Sequence, residues 1–88
     1  MTSDVPWYAS ATAYLYVTEP GGHRRRRAVT KVCTLNAAVV FLVQSNLGPP
    51  EDYEVELEDG SKAWHGRDVE NLFRHDARPP LLDRAISL

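Results

Sequence analysis

The chain has 88 residues, 43% of them hydrophobic, with a formal net charge of −2. That length suits one small domain, and a charge this close to neutral argues against polyanion binding by bulk charge alone. Cys33 is the only cysteine, which excludes an intramolecular disulfide and a cysteine-rich zinc site. The longest apolar run, Ala37 to Val43, is too short to span a bilayer. The N-terminus lacks the basic flank and long apolar stretch of a signal peptide. We therefore expect an intracellular protein, cytoplasmic or nuclear, with no membrane partner. A core this small gives limited stability, so a partner that covers apolar surface would help it.

Residues 1–11 read as an irregular lead-in, with Trp7 or Tyr8 available to pack on the domain. Thr12 to Thr18 alternates as a strand does: Ala13, Leu15 and Val17 share one face, Tyr14 and Tyr16 the other. Glu19-Pro20-Gly21-Gly22 supplies a turn. His23 to Arg27 climbs into a second strand, Ala28 to Leu35, whose untidy pattern assigns no buried face.

Asn36 to Leu47 admits two readings. As a helix, Asn36 caps it, Leu35, Ala38, Val39 and Leu42 line one side, and Gly48 stops it before Pro49-Pro50. As a strand, Val39 to Val43 is a buried β-branched and aromatic run. Periodicity cannot decide a short apolar run, and the valines with Phe41 tip the balance to strand.

Tyr53, Val55 and Leu57 alternate with Glu54, Glu56 and Glu58, the pattern of a half-buried strand. Asp59-Gly60 suits a type I′ hairpin turn, which needs positive φ at both central residues. A two-residue turn sets Trp64 opposite Val55 on the same face. Asp68 to Leu72 reads as a short helical turn. We take 12–73 as the single domain. Residues 74–88 then form a polar, proline-containing linker and an apolar tail, Leu81 to Leu88, that docks on the domain or contacts another molecule.

Under the strand reading the chain is mainly β, and its order of elements resembles a five-stranded SH3-like small barrel with a short helical turn near 68–73. Val39-Val40-Phe41-Leu42-Val43, Leu47-Gly48-Pro49, Tyr53 to Gly60, His65, Val69 and Leu72 resemble the C-terminal barrel of retroelement integrases. Gly22 to Val32 is similar to the second strand of Tudor-type barrels. The two stretches cover most of 13–73, but the aromatic cage of a Tudor domain is not matched position by position. Under the helix reading, with a helix over 36–47, the chain resembles a ubiquitin-like β-grasp instead: Thr34-Leu35 opens the helix, Leu42 lies on it, and Gly48-Pro49-Pro50-Glu51 follows. No Gly-Gly terminus follows, so that resemblance implies a binding module and not a conjugated tag.

Arg24, Arg25, Arg26 and Arg27, with Lys31, form a basic block suited to phosphate or an acidic partner. On a strand, alternate arginines address opposite faces. The bland alternative is a solvated strand end that resists aggregation. Glu54, Glu56 and Glu58 are rival partners for the arginines, within the chain or from a second copy. Tyr14 and Tyr16, with Trp7 or Tyr8, could stack bases, peptides or methylated lysines; burial in a barrel is the competing role. Trp64 is either a ligand contact or part of the core rim. His23, His65 and His75 lack metal-ligand spacing, and no nucleophile motif or phosphate-cradling loop occurs. We expect no enzyme, no metal and no cofactor. The expectation is a binding module for an acidic protein surface, a peptide or nucleic acid. The alternatives are a protein–protein adaptor, a homo-oligomer, or a small inhibitor or accessory subunit.

Overall fold

The strand Ser10–Thr18 (β1) is the spine of the fold, as its alternation demands. The computed structural model describes residues 5–80. β1 is flanked on one side by β2 (Arg24–Ala28) and β3 (Cys33–Thr34), and on the other by β4 (Tyr53–Leu57), which in turn pairs with β5 (Ala63–His65). Every pairing is antiparallel. Helices α1 (Leu35–Ser45) and α2 (Arg67–Phe73) complete the domain. The architecture is therefore mainly β, a five-stranded antiparallel sheet with two short helices. The sheet is open, ending in β2 on one side and β5 on the other, so the expected SH3-like barrel does not close.

The strand expected through Asn36 to Leu47 is instead the helix α1. Thr34 caps it, its Oγ1 accepting the Ala37 amide at 3.1 Å, and Asn46 ends it in the left-handed conformation. The expected cap, Asn36, is buried. Its side-chain amide donates to the Pro79 carbonyl at 2.9 Å, and its Oδ1 accepts from Arg78 at 3.3 Å. Leu35, Ala38, Val39 and Leu42 are fully buried at helical spacing. α1 packs on the sheet and also against α2, and Ala37 and Val40 are buried as well. Burial on two sides explains an apolar run too continuous for a simple amphipathic stripe, and that double packing outweighs the strand preference of valine.

The core gathers Trp7, Ala11, Ala13, Leu35, Val39, Leu42, Tyr53, Val55, Leu57, Val69 and Leu72. Trp64 stands opposite Val55, as the hairpin alternation requires. The turn differs from expectation. Only Gly60 of the Asp59-Gly60 pair has positive φ, 75°, and its amide donates to Leu57 O at 2.9 Å, which makes a longer loop about a type I turn. The register survives because the Leu57 amide still donates to Lys62 O.

The second strand is broken. Thr12 and Ala13 separate the pairs Tyr14–Ala28 and Ala11–Cys33 on β1, whereas Val29 to Val32 separate them on the other side. The surplus bulges out, and Thr30 Oγ1 accepts the Ala13 amide at 3.0 Å in place of a backbone partner. That is why Ala28 to Leu35 shows no single buried face. Residues 81–88, where the apolar tail was read, lie outside the described residues. Among the described residues, no helix is long and apolar enough to cross a membrane.

Leu42→Ala should lower stability by about 3 kcal/mol, because a fully buried leucine leaves a cavity under α1. Urea unfolding will show it as a lower midpoint with an unchanged slope; a loss under about 1 kcal/mol would mean that α1 does not seal the core.

Candidate functional site

The face of the sheet opposite the core carries the polar half of each strand's alternation. Register places Tyr14 and Tyr16 of β1, Arg24 and Arg26 of β2, Glu54 and Glu56 of β4, and His65 of β5 on it. Tyr16 stands opposite Arg26, and Tyr14 opposite Glu54. The Arg26 guanidinium lies 3.8 Å from the centroid of the Tyr14 ring, and that of Arg24 lies 5.8 Å from Tyr16. Arg26 reaches over β1 and donates to Glu54 Oε2 at 3.0 Å and to Glu56 Oε1 at 2.8 Å. Arg24 pairs with Asp52, at the end of the short 3₁₀ turn Pro50–Asp52.

Glu54 is the unusual member. Its side chain is 4% exposed, on a face with no helix over it. Its Oε1 makes no hydrogen bond among the described residues; the closest cation candidate is His65 Nδ1, 3.7 Å away and on a largely exposed ring. Tyr16 shares this face with Glu54. The Glu54 carboxylate, then burial, raises that phenol above its ordinary value, since both favour the protonated form. Partial burial works against the charge on Arg26, but the hydrogen bonds to Glu56 and Glu54 outweigh it and hold the guanidinium above its usual value.

The other arginines turn the opposite way. Arg25 stands across from Val17 and pairs with Glu19 at 3.0 Å, both groups well exposed. Arg27 stands across from Leu15 and has no ion pair among the described residues. Lys31 is exposed in the bulge. Trp64 belongs to the core face, packed against the core with the Lys62 ammonium 5.2 Å from its ring. Trp7 is buried edge-on to His75 at 5.6 Å, whereas Tyr8 is exposed. The residues expected to bind therefore fall into separate places: Tyr14, Tyr16, Arg24 and Arg26 together, Arg25 and Arg27 across the same strand, and Lys31 and Trp64 elsewhere.

Asp52 and His65 are the members that sequence reasoning missed, whereas Glu54 and Glu56 pair with an arginine of the same chain, one of the two roles expected of them. The alternation put Glu54 and Glu56 on one face, but only the pairing of β1 with β4 brings them to the arginines. Elsewhere, Cys33 is half-buried, and burial pushes its thiol up, away from the reactive thiolate. Among the described residues no three His, Cys, Asp or Glu side chains could hold a metal ion together. A cavity of about 390 Å³ lies at the β5 end, lined by Lys62, Trp64, Asp68, Asn71, Leu72 and His75 among others.

No known protein family, curated protein or solved structure matches the chain.

Arg26→Ala should cost about 1–3 kcal/mol, below the full penalty for a buried pair because water still reaches the guanidinium. In a Glu54→Gln background the same change should cost clearly less; equal costs in the two backgrounds would show that the two groups are uncoupled.

Tyr16 gives the alkaline prediction. Its raised folded value means that its stabilising contribution is whole below the unfolded value of about 10 and is lost as pH climbs through the folded one. Tyr53, raised by burial and by Glu70, acts in the same direction. Ultraviolet titration should show two late tyrosinate steps, and the one that is lost in Tyr16→Phe should move to lower pH in Glu54→Gln. A Tyr16 step at the ordinary value would sink the pairing with Glu54.

Proposed function

We propose that the chain is a non-catalytic binding module that engages an acidic protein partner through the β2 hairpin. The supporting observation is β2 itself: a sheet edge on which all five residues are exposed and Arg24 to Arg27 follow one another. On the outer face the cations already have carboxylates, Asp52 for Arg24, and Glu54 and Glu56 for Arg26. On the core side, Arg25 has one loose exposed partner and Arg27 has none among the described residues. There they flank Leu15 and Val17, which are only half-buried. Exposed guanidinium groups, one loosely paired and one unpaired among the described residues, beside apolar surface suit carboxylates carried on a polypeptide.

Nucleic acid fits less well. The Arg26 guanidinium lies over the Tyr14 ring on which a base would stack, and that of Arg24 lies near Tyr16. Glu54, Glu56 and Asp52 stand beside the same arginines and repel phosphate. The homo-oligomer that would join the basic hairpin of one copy to the acidic strand of another also loses support, because Arg26 already spans that distance within one molecule.

Fluorescence anisotropy with a labelled peptide of about ten alternating Glu and Val residues tests the proposal, with single-stranded DNA of similar length as comparator. We expect micromolar binding of the peptide in low salt, weakening as salt rises, and a loss of about tenfold or more in Arg25→Glu/Arg27→Glu. Tighter binding to the DNA would replace the acidic-protein reading with a nucleic-acid one. No salt-dependent binding of the peptide at millimolar concentration would overturn it.

A further inference from the structure

The backbone of β2 carries the proposal further, resting on the acidic-partner reading above. In an antiparallel pair, alternate residues exchange both backbone bonds and those between them turn their polar groups away. The Glu19 amide bonds to His23 O at 2.6 Å, and the Val29 amide to Ala13 O at 2.9 Å. These bonds, carried through the register, make Arg25 and Arg27 the residues bonded to β1. Arg24, Arg26 and Ala28 then turn their N–H and C=O groups outward, along an edge that no strand covers. The Glu19–Gly22 turn bounds this edge at one end, and the bulge at Val29–Val32 bounds it at the other.

We infer that the partner binds by strand addition: an extended acidic segment pairs with the outward backbone groups of Arg24, Arg26 and Ala28 and sets carboxylates against Arg25 and Arg27. The charge pattern selects the occupant. A second β2 placed along this edge would set arginine against arginine, which is unfavourable. The acidic strand β4 of a second copy cannot serve either, since β1 and β5 already occupy both of its sides. Its fellow edge β5, Ala63-Trp64-His65, carries no carboxylate. On the incoming segment only alternate positions need be acidic. Those between them pass over Arg24 and Arg26, whose charges are already met, and should be neutral. Recognition is therefore of a Glu-x-Glu or Asp-x-Asp rhythm in an extended chain.

Two peptides of equal composition separate this mode from simple charge attraction, one alternating Glu and Val, the other with the same residues in two blocks. Amide exchange followed by NMR in the intact protein reads the edge directly. With the alternating peptide, exchange of the Arg24, Arg26 and Ala28 amides should slow by about an order of magnitude, and the block peptide should bind at least about fivefold more weakly. Ala28→Pro removes an outward N–H at a place where an edge strand accepts proline. It should keep its thermal midpoint and lose at least about fivefold in affinity. If the alternating peptide binds while these amides stay unprotected, or both peptides bind alike, strand addition is wrong and the acidic-partner reading stands. If neither peptide binds, both are wrong.

Discussion

A carboxylate almost wholly removed from water on the uncovered face of a sheet is the constraint that orders this structure. Desolvating such a charge costs several kcal/mol unless a cation repays it at close range. Arg26 does so for Glu54, and its reach across β1 places its guanidinium over Tyr14 and within range of Glu56. Arg24 follows the same slant toward Asp52 and lies near Tyr16. The aromatic and acidic side chains of the outer face thus become lining for two arginines. The outer-face half of the basic block is taken up by internal pairing, and on the other face Arg25 has only the exposed Glu19. What remains available to another molecule is set by Glu54, although Glu54 itself is hidden.

The opposite face obeys a different constraint. Ala11 and Ala13, fully buried on β1, are small enough for α1 to sit close to the sheet, and Leu35, Val39 and Leu42 fill the space around them. The helix lies over β1 and β4, and contacts with α2 hold its other side. β2, the neighbour of β1, has every residue exposed. One strand therefore belongs to the sheet by hydrogen bonding and to the solvent by packing. Its inward positions, Arg25 and Arg27, can remain charged because no helix desolvates them.

Alternation made much of this legible. The faces of β1 follow from Ala13, Leu15 and Val17 against Tyr14 and Tyr16, and the partnership of Val55 with Trp64 follows from the Asp59-Gly60 break. Segment 36–47 was not legible, because a helix buried on two sides loses the stripe by which a helix is recognised. The bulge at Val29–Val32 hid the buried face of the second strand for a related reason: an insertion resets the period of two midway. The site was half legible. Four arginines announce themselves, but the pairing of Arg26 with Glu54 and Glu56 depends on β4 lying beside β1, a contact between residues some forty positions apart. Glutamates on a strand read as solvated, so nothing in the sequence singled out Glu54 for burial.

The same division explains how a bare edge can be safe and receptive at once. An uncovered strand invites pairing with any other, and charge is a common deterrent. If every arginine here were neutralised by its own chain, the edge would deter only weakly and attract nothing in particular. If none were, it would collect polyanions without selection. Pairing Arg24 and Arg26 on the outer face, while leaving Arg25 with one exposed partner and Arg27 with none among the described residues, gives a strand that repels its own copies and is indifferent on one face. Its demand for carboxylates falls on alternate positions of the other face, the spacing at which an extended polypeptide repeats its side chains on one side.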